Sequence, residues 1–132
     1  MLTITPLDEI IVECQEYDNF LNTELEDDLN VISERGNKLI VIMARTGKMM
    51  ADARYWLNDH RKQEVDLIID EFKHFKLSAK VQNAKVDSIC KEEQLVLDWC
   101  ERLNRTATHQ LDWMRTKLSF IKEELKLTRS GY

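Results

Sequence analysis

One proline and three glycines in 132 residues leave this chain almost nothing with which to interrupt a helix. Average usage is roughly 5% proline and 7% glycine. Pro6 lies near the start and Gly131 near the end, so Gly36 and Gly47 alone punctuate the interior. Glu, Lys, Leu and Asp are abundant, and a third of the chain is charged. The length is that of a single domain, and the composition predicts an all-α one. The expected organisation is a single helical domain over residues 1–132. It comprises an acidic N-terminal helix in 1–30, a second long helical region in 31–76 and a long C-terminal helix in 78–128. The two long helices form an elongated antiparallel hairpin preceded by the shorter acidic helix.

Apolar spacing supports each part. Thr5-Pro6 followed by Asp8 and Glu9 is a helix start: Thr5 can cap, Pro6 suits the first helical position, and acids favour the positive end of the dipole. Leu7, Ile10, Ile11, Cys14, Leu21 and Leu25 then give one stripe that ends near "NTELEDD". A second pattern runs through Leu25, Leu29, Ile32, Gly36, Leu39, Met43, Gly47, Met50, Arg54 and Leu57 in steps of three and four. It continues less cleanly through Val65, Ile68, Ile69, Phe72 and Phe75. The glycines on this seam permit either close approach of another helix or a break at Gly36, each costing about 1 kcal/mol relative to alanine.

Ser78 is placed to cap the last helix, with a turn or kink expected near Lys76 to Ala79. Beyond it, Val86, Ile89, Glu93, Val96, Cys100, Leu103, Ala107, Gln110, Met114, Leu118, Ile121 and Leu125 form a seam whose mean step is near 3.5. That is the coiled-coil period. A helix over 79–127 would be roughly 70 Å long at ~1.5 Å per residue, and it needs a partner along its face. Trp99 and Trp113 lie off the seam, so more than one stripe is buried. The expectation is a homo-oligomer whose interface draws on Val96, Leu103, Met114, Leu118, Ile121 and Leu125.

The charge is uneven. Residues 1–35 hold ten acids and one base, Arg35, for a net −9, while the rest is +4. A polyanion would avoid the first helix and tolerate the remainder. Arg54, His60, Arg61, Lys62, Lys73, His74, Lys76, Lys80 and Lys85 flank or fill the joint between the long helices. Tyr55, Trp56, Phe72 and Phe75 are interleaved with them. Cations that follow phosphates and rings that stack on bases hold single-stranded nucleic acid; a solvated basic rim over a buried aromatic stripe gives the same pattern. The candidate DNA-binding set is Arg54, Arg61, Lys62, Lys73, Lys76, Lys80 and Lys85.

Enzyme chemistry finds no foothold. Glu71 and His74 form half of a ferritin-like di-iron set, which requires a second Glu-x-x-His. His60 is preceded at that spacing by Leu57, and His109 by Thr106. His109 and Asp112 make a pair with no third ligand nearby in sequence. There is no glycine-rich phosphate loop or G-x-S-x-G elbow. The reading is a non-enzyme with no cofactor and no metal. Cys14, Cys90 and Cys100 are odd in number and never spaced as C-x-x-C, as expected of reduced thiols in a cytoplasmic protein. No apolar run approaches the ~20 residues of a membrane span, and "MLTITPLDEIIVE" carries no signal-peptide pattern.

Two stretches resemble the phage recombination mediators of the UvsY type. "WLNDH", Trp56 to His60, is similar to the family's W-L-N-x-H, with Met50 upstream in a similar place. "LSAKVQNAKVDSICKEEQLVLDWC" is similar in register to its L-S-A, K-V-D and L-D-x-C elements. These fall on Leu77, Ser78 and Ala79, then Lys85, Val86 and Asp87, then Leu97, Asp98 and Cys100. The resemblance covers about residues 43 to 103. Between its two blocks the family carries a basic, glycine-containing segment near residues implicated in DNA binding, where this chain has only "RKQEVDLIIDEFKHFK". The resemblance implies a helical homo-oligomer assembled through its C-terminal helix, acting in the cytoplasm of a bacterial host. It also implies binding to single-stranded DNA and to a RecA-like recombinase, which such a mediator helps to load. The competing expectation is a helical structural or adaptor protein of a phage or mobile element, with no nucleic-acid role and an acidic first helix that docks a basic partner.

Overall fold

The computed structural model describes residues 2–72 and 78–129. These form four helices and no strand: α1 (Leu7–Leu21), α2 (Leu29–Phe72), α3 (Ala79–Ile89) and α4 (Lys91–Arg129). The protein is all-α, as its lack of breakers predicts. α2 stays helical through both Gly36 and Gly47, so the alternative of a break at Gly36 is not realised. No helix among the described residues is long and apolar enough to cross a membrane.

α2 and α4 run antiparallel, and their contacts fix the register. A Cβ built on Gly36 would meet Met114 Cε at 3.5 Å. Further along, the Asn104 Nδ2 amide donates to the Met43 carbonyl at 2.9 Å, and His60 reaches Glu93 at 2.8 Å. α1 lies across both helices, antiparallel to α2 and parallel to α4. Arg45 meets Glu13, the Cys14 and Cys100 sulfurs are 3.6 Å apart, and Gln110 donates to the Leu21 carbonyl. The core runs along this three-helix junction through Ile10, Cys14, Ile32, Leu39, Ile42, Met49, Leu57, Cys100, Leu103, Ala107 and Met114.

Four expectations change. Thr5 does not cap α1: Pro6 occupies the N-cap and no side chain caps it. Tertiary partners take the Thr5 groups instead. Its N–H donates to Asp52 Oδ2, its hydroxyl accepts from Arg45, and its carbonyl accepts the Trp56 indole N–H at 2.7 Å.

The middle of the α2 seam is shifted by one residue. Ile42, Thr46, Met49 and Ala53 are buried, whereas Gly47 and Arg54 are exposed and Met43 and Met50 are only partly covered. Thr46 tolerates this because its hydroxyl donates to the Ile42 carbonyl of its own helix at 2.6 Å.

In the seam's extension past Leu57, Ile68 is buried while Val65 and Ile69 are exposed; the Phe72 and Phe75 side chains lie outside what is described. Finally, the last helical region is divided at Cys90, which adopts φ −90°, ψ 20°. The Cys90 N–H still donates to the Val86 carbonyl and its own carbonyl accepts from Gln94, so the break is a local kink. It lets Val86 and Cys90 both bury. Ser78 does cap α3, its hydroxyl accepting from the Val81 N–H at 3.3 Å. The rest of the expected turn, Lys76 and Leu77, lies outside the described residues.

Candidate functional site

The basic candidates cluster on the half of the hairpin made by the second half of α2, α3 and the start of α4. Arg54 and Arg61 are two helical turns apart on α2 and both point at the returning arm. Arg54 pairs with Glu101 at 3.7 Å, and Arg61 with Asp87 at 3.1 Å. Lys62, Lys80 and Lys85 are exposed. Lys73 and Lys76 lie outside the described residues, as do His74 and Phe75. A groove of about 520 Å³ follows the α3–α4 kink, lined by Arg61, Asp87, Lys91, Gln94, Leu95 and Asp98. Its lining mixes both signs of charge.

Of the interleaved aromatics, Tyr55 is 47% exposed. Trp56 is partly buried against the core, stands edge-on to Tyr55 with centroids 5.1 Å apart, and spends its N–H on Thr5. Of these two described rings, Tyr55 is the one available to stack on a base, and Trp56 belongs to the buried stripe.

Between these cations lies a polar cluster that joins three elements. His60 on α2 sets Nδ1 2.8 Å from Glu93 Oε1 and Nε2 3.3 Å from Glu64 Oε1. Cys90, buried at the kink, completes a group whose potential ligand atoms all lie within 4.8 Å. Burial alone would lower the His60 pKa, but the hydrogen bond and charge of Glu93, then those of Glu64, raise it. Burial, with Glu93 adding, pushes the Cys90 thiol up. His60 lies 30 or more residues from Cys90 and Glu93, so a motif scan does not join them. The legible signal was Glu93, the one charged residue on that seam.

No family model, curated protein or solved structure matches the chain.

The expected subunit-interface residues divide in two. Val96, Leu103 and Met114 are buried in the chain's own core, because the α4 seam closes on α2 and α1 within one chain; they are not free to face a second subunit. Leu118 and Ile121 are half-buried, and Leu125 is 46% exposed. α4 beyond Ile121 is exposed at every described position. There Phe120, Ile121 and Leu125 line a groove of about 540 Å³ together with Asp27, Leu29, Lys117 and Glu124. Trp99 packs against the core, whereas Trp113 is 56% exposed beneath Lys117.

Proposed function

We propose that this protein is a non-enzymatic recombination mediator of the UvsY type, an oligomer that binds single-stranded DNA and helps to load a RecA-like recombinase. The supporting observation is where the resembling residues fall. Leu57, Val86, Leu97 and Cys100 are buried. His60 meets Glu93, Asp87 meets Arg61, and Ser78 caps α3. Some of the residues that carry the resemblance therefore help to hold α2 to its returning arm, while Asn58, Ala79, Lys85 and Asp98 are exposed.

In this reading Lys62, Lys80 and Lys85 meet phosphates, with Lys73 and Lys76 beside them in sequence and Tyr55 offering a ring. Arg54 and Arg61 contribute by exchanging a carboxylate for a phosphate. Single sites of this kind are weak, and assembly multiplies them, because linked sites gain effective concentration without new contacts. Loading follows if one oligomer holds the strand and the recombinase together.

Titration of a fluorescent mixed-sequence oligonucleotide tests this. Anisotropy should rise at low salt, with log affinity falling against log salt by about 0.7 per phosphate neutralised. Replacing Lys62, Lys80 and Lys85 by glutamine should flatten the slope and leave helicity unchanged. The ion pairs Arg54–Glu101 and Arg61–Asp87 favour a second reading, a structural or adaptor protein, since those guanidinium groups already have partners. An assembled protein that gives no anisotropy change at low salt would establish that reading instead.

A further inference from the structure

We infer that His60, Cys90 and Glu93 form a binding site for a zinc-type divalent cation, with Glu64 orienting the histidine. The donors come from α2, from the α3–α4 kink and from the first turn of α4, so a bound ion would clamp the hairpin at its bend. Thiolate, imidazole and carboxylate together suit Zn²⁺, which takes such ligands at ~2.0–2.3 Å. Donors of a tetrahedral site at those bond lengths stand about 3.3–3.6 Å apart. The potential ligand atoms here lie within 4.8 Å of one another. Side-chain shifts of about 1 Å therefore convert the cluster into a coordination shell.

Three further features favour a cation over a merely satisfied histidine. The Glu93 Oε2 atom is buried and makes no hydrogen bond, which is costly for a carboxylate oxygen and is relieved by a metal. Glu64 Oε1 lies 3.3 Å from His60 Nε2, so if a cation took Nδ1 in place of the hydrogen bond to Glu93, this carboxylate would hold the ring, as is common for metal-bound histidines. The charges also balance. A Cys90 thiolate and the Glu93 carboxylate would neutralise a divalent ion, with the Glu64 carboxylate and the Arg61 guanidinium, itself paired with Asp87, as further charges beside them. A solvent molecule completes four-coordination.

Because thiolate and neutral imidazole are the ligating forms, a cation would compete with protons for this site and affinity would rise with pH. The bound ion would fix the kink angle, and with it the direction of α3, which carries Lys80 and Lys85. The site is independent of any DNA role.

Cobalt(II) titration of the reduced, metal-stripped full-length protein tests the inference. The expected result is a thiolate-to-cobalt charge-transfer band with visible tetrahedral ligand-field bands, saturating at one equivalent per chain and displaced by zinc. Zinc should also raise the melting temperature. Cys90→Ser should abolish the charge-transfer band, and His60→Gln should abolish tight binding. Glu64→Gln, which touches no ligand atom of the ion, should weaken affinity about 10–100-fold. Cys14→Ala should leave the spectrum unchanged, which separates this site from the Cys14–Cys100 thiol pair. Absence of the charge-transfer band in the wild type overturns the inference. A band that survives Cys90→Ser and is lost in Cys14→Ala also overturns it. If Cys90→Ser proves unfolded by circular dichroism, unchanged affinity in both Glu64→Gln and His60→Gln overturns it equally.

Discussion

Gly47 faces open space in the middle of a 44-residue helix, with nothing within 4 Å of a Cβ built on it. It therefore carries the backbone-entropy cost of glycine without any packing benefit. Gly47→Ala should stabilise the protein by about 0.5–1 kcal/mol, read as a higher melting temperature with unchanged helicity. Gly36 differs, since its missing side chain lets Met114 Cε approach; alanine there would sit in ordinary contact, and a larger residue would displace Met114. Asn104 shows the same local logic for a polar group. Its amide donates to both the Met43 carbonyl and the Thr46 hydroxyl, at 2.9 and 3.0 Å. That places a specific polar tie inside the α2–α4 seam, where an apolar residue would set no register.

Among the elements, α1 is held by charge as well as by its apolar stripe. Arg45 donates two hydrogen bonds of 2.7 Å to the Glu13 carboxylate, and Lys48 ties Asp52 beneath Thr5. The Arg45 hydrogen bond, opposed by burial and helped by the Arg45 charge, holds the Glu13 carboxyl below its ordinary 4.5. A carboxylate whose folded pKa is depressed stabilises the fold above its unfolded pKa, and that stability is lost as pH falls through the folded value. α1 should therefore loosen as the solution is acidified below about 4.5. Hydrogen exchange in residues 7–21 should accelerate before that of the α2–α4 core. Glu13→Gln should remove that pH dependence by having no proton to gain; an unchanged profile in this variant would assign the effect to other carboxylates.

At the scale of the whole molecule, the chain closes its core internally and leaves apolar side chains exposed near the bend, at Leu67, Ile69 and Val81, and along the end of α4. Phe120 is 67% exposed and Leu127 62%, beside half-buried Leu118 and Ile121. If the protein assembles as proposed, this end of α4 offers a seat for it, and light scattering should show an oligomer at micromolar concentration. Leu118→Asp with Ile121→Asp should dissociate it, because each puts a charge on an apolar contact. Leu125→Asp should weaken assembly while sparing the core, since Leu125 lies outside it. A wild-type protein that is monomeric under these conditions would refute the assembly and weaken the mediator proposal with it.

Helix content, the order of the helices and most of the apolar faces were determined by the sequence alone. Breakers are nearly absent and periodicity is a local property. Leu39, Leu57, Cys100 and Leu103 could be placed in the core from spacing, as could the Ser78 cap from its position before a periodic run. The phase of α2 could not be placed. Ile42 and Met43 are both apolar, as are Met49 and Met50, and only the hydrogen bonds of Thr46 and the flanking helices choose between them. Which surface α4 presents to its own chain was likewise beyond a period of 3.5, because the same seam serves an intrachain or an intersubunit partner. The His60–Cys90–Glu93 cluster belongs wholly to the tertiary structure. His60 lies about 30 residues from Cys90 and Glu93, and what brings it within reach of them is the antiparallel register of α2 and α4 together with the kink at Cys90.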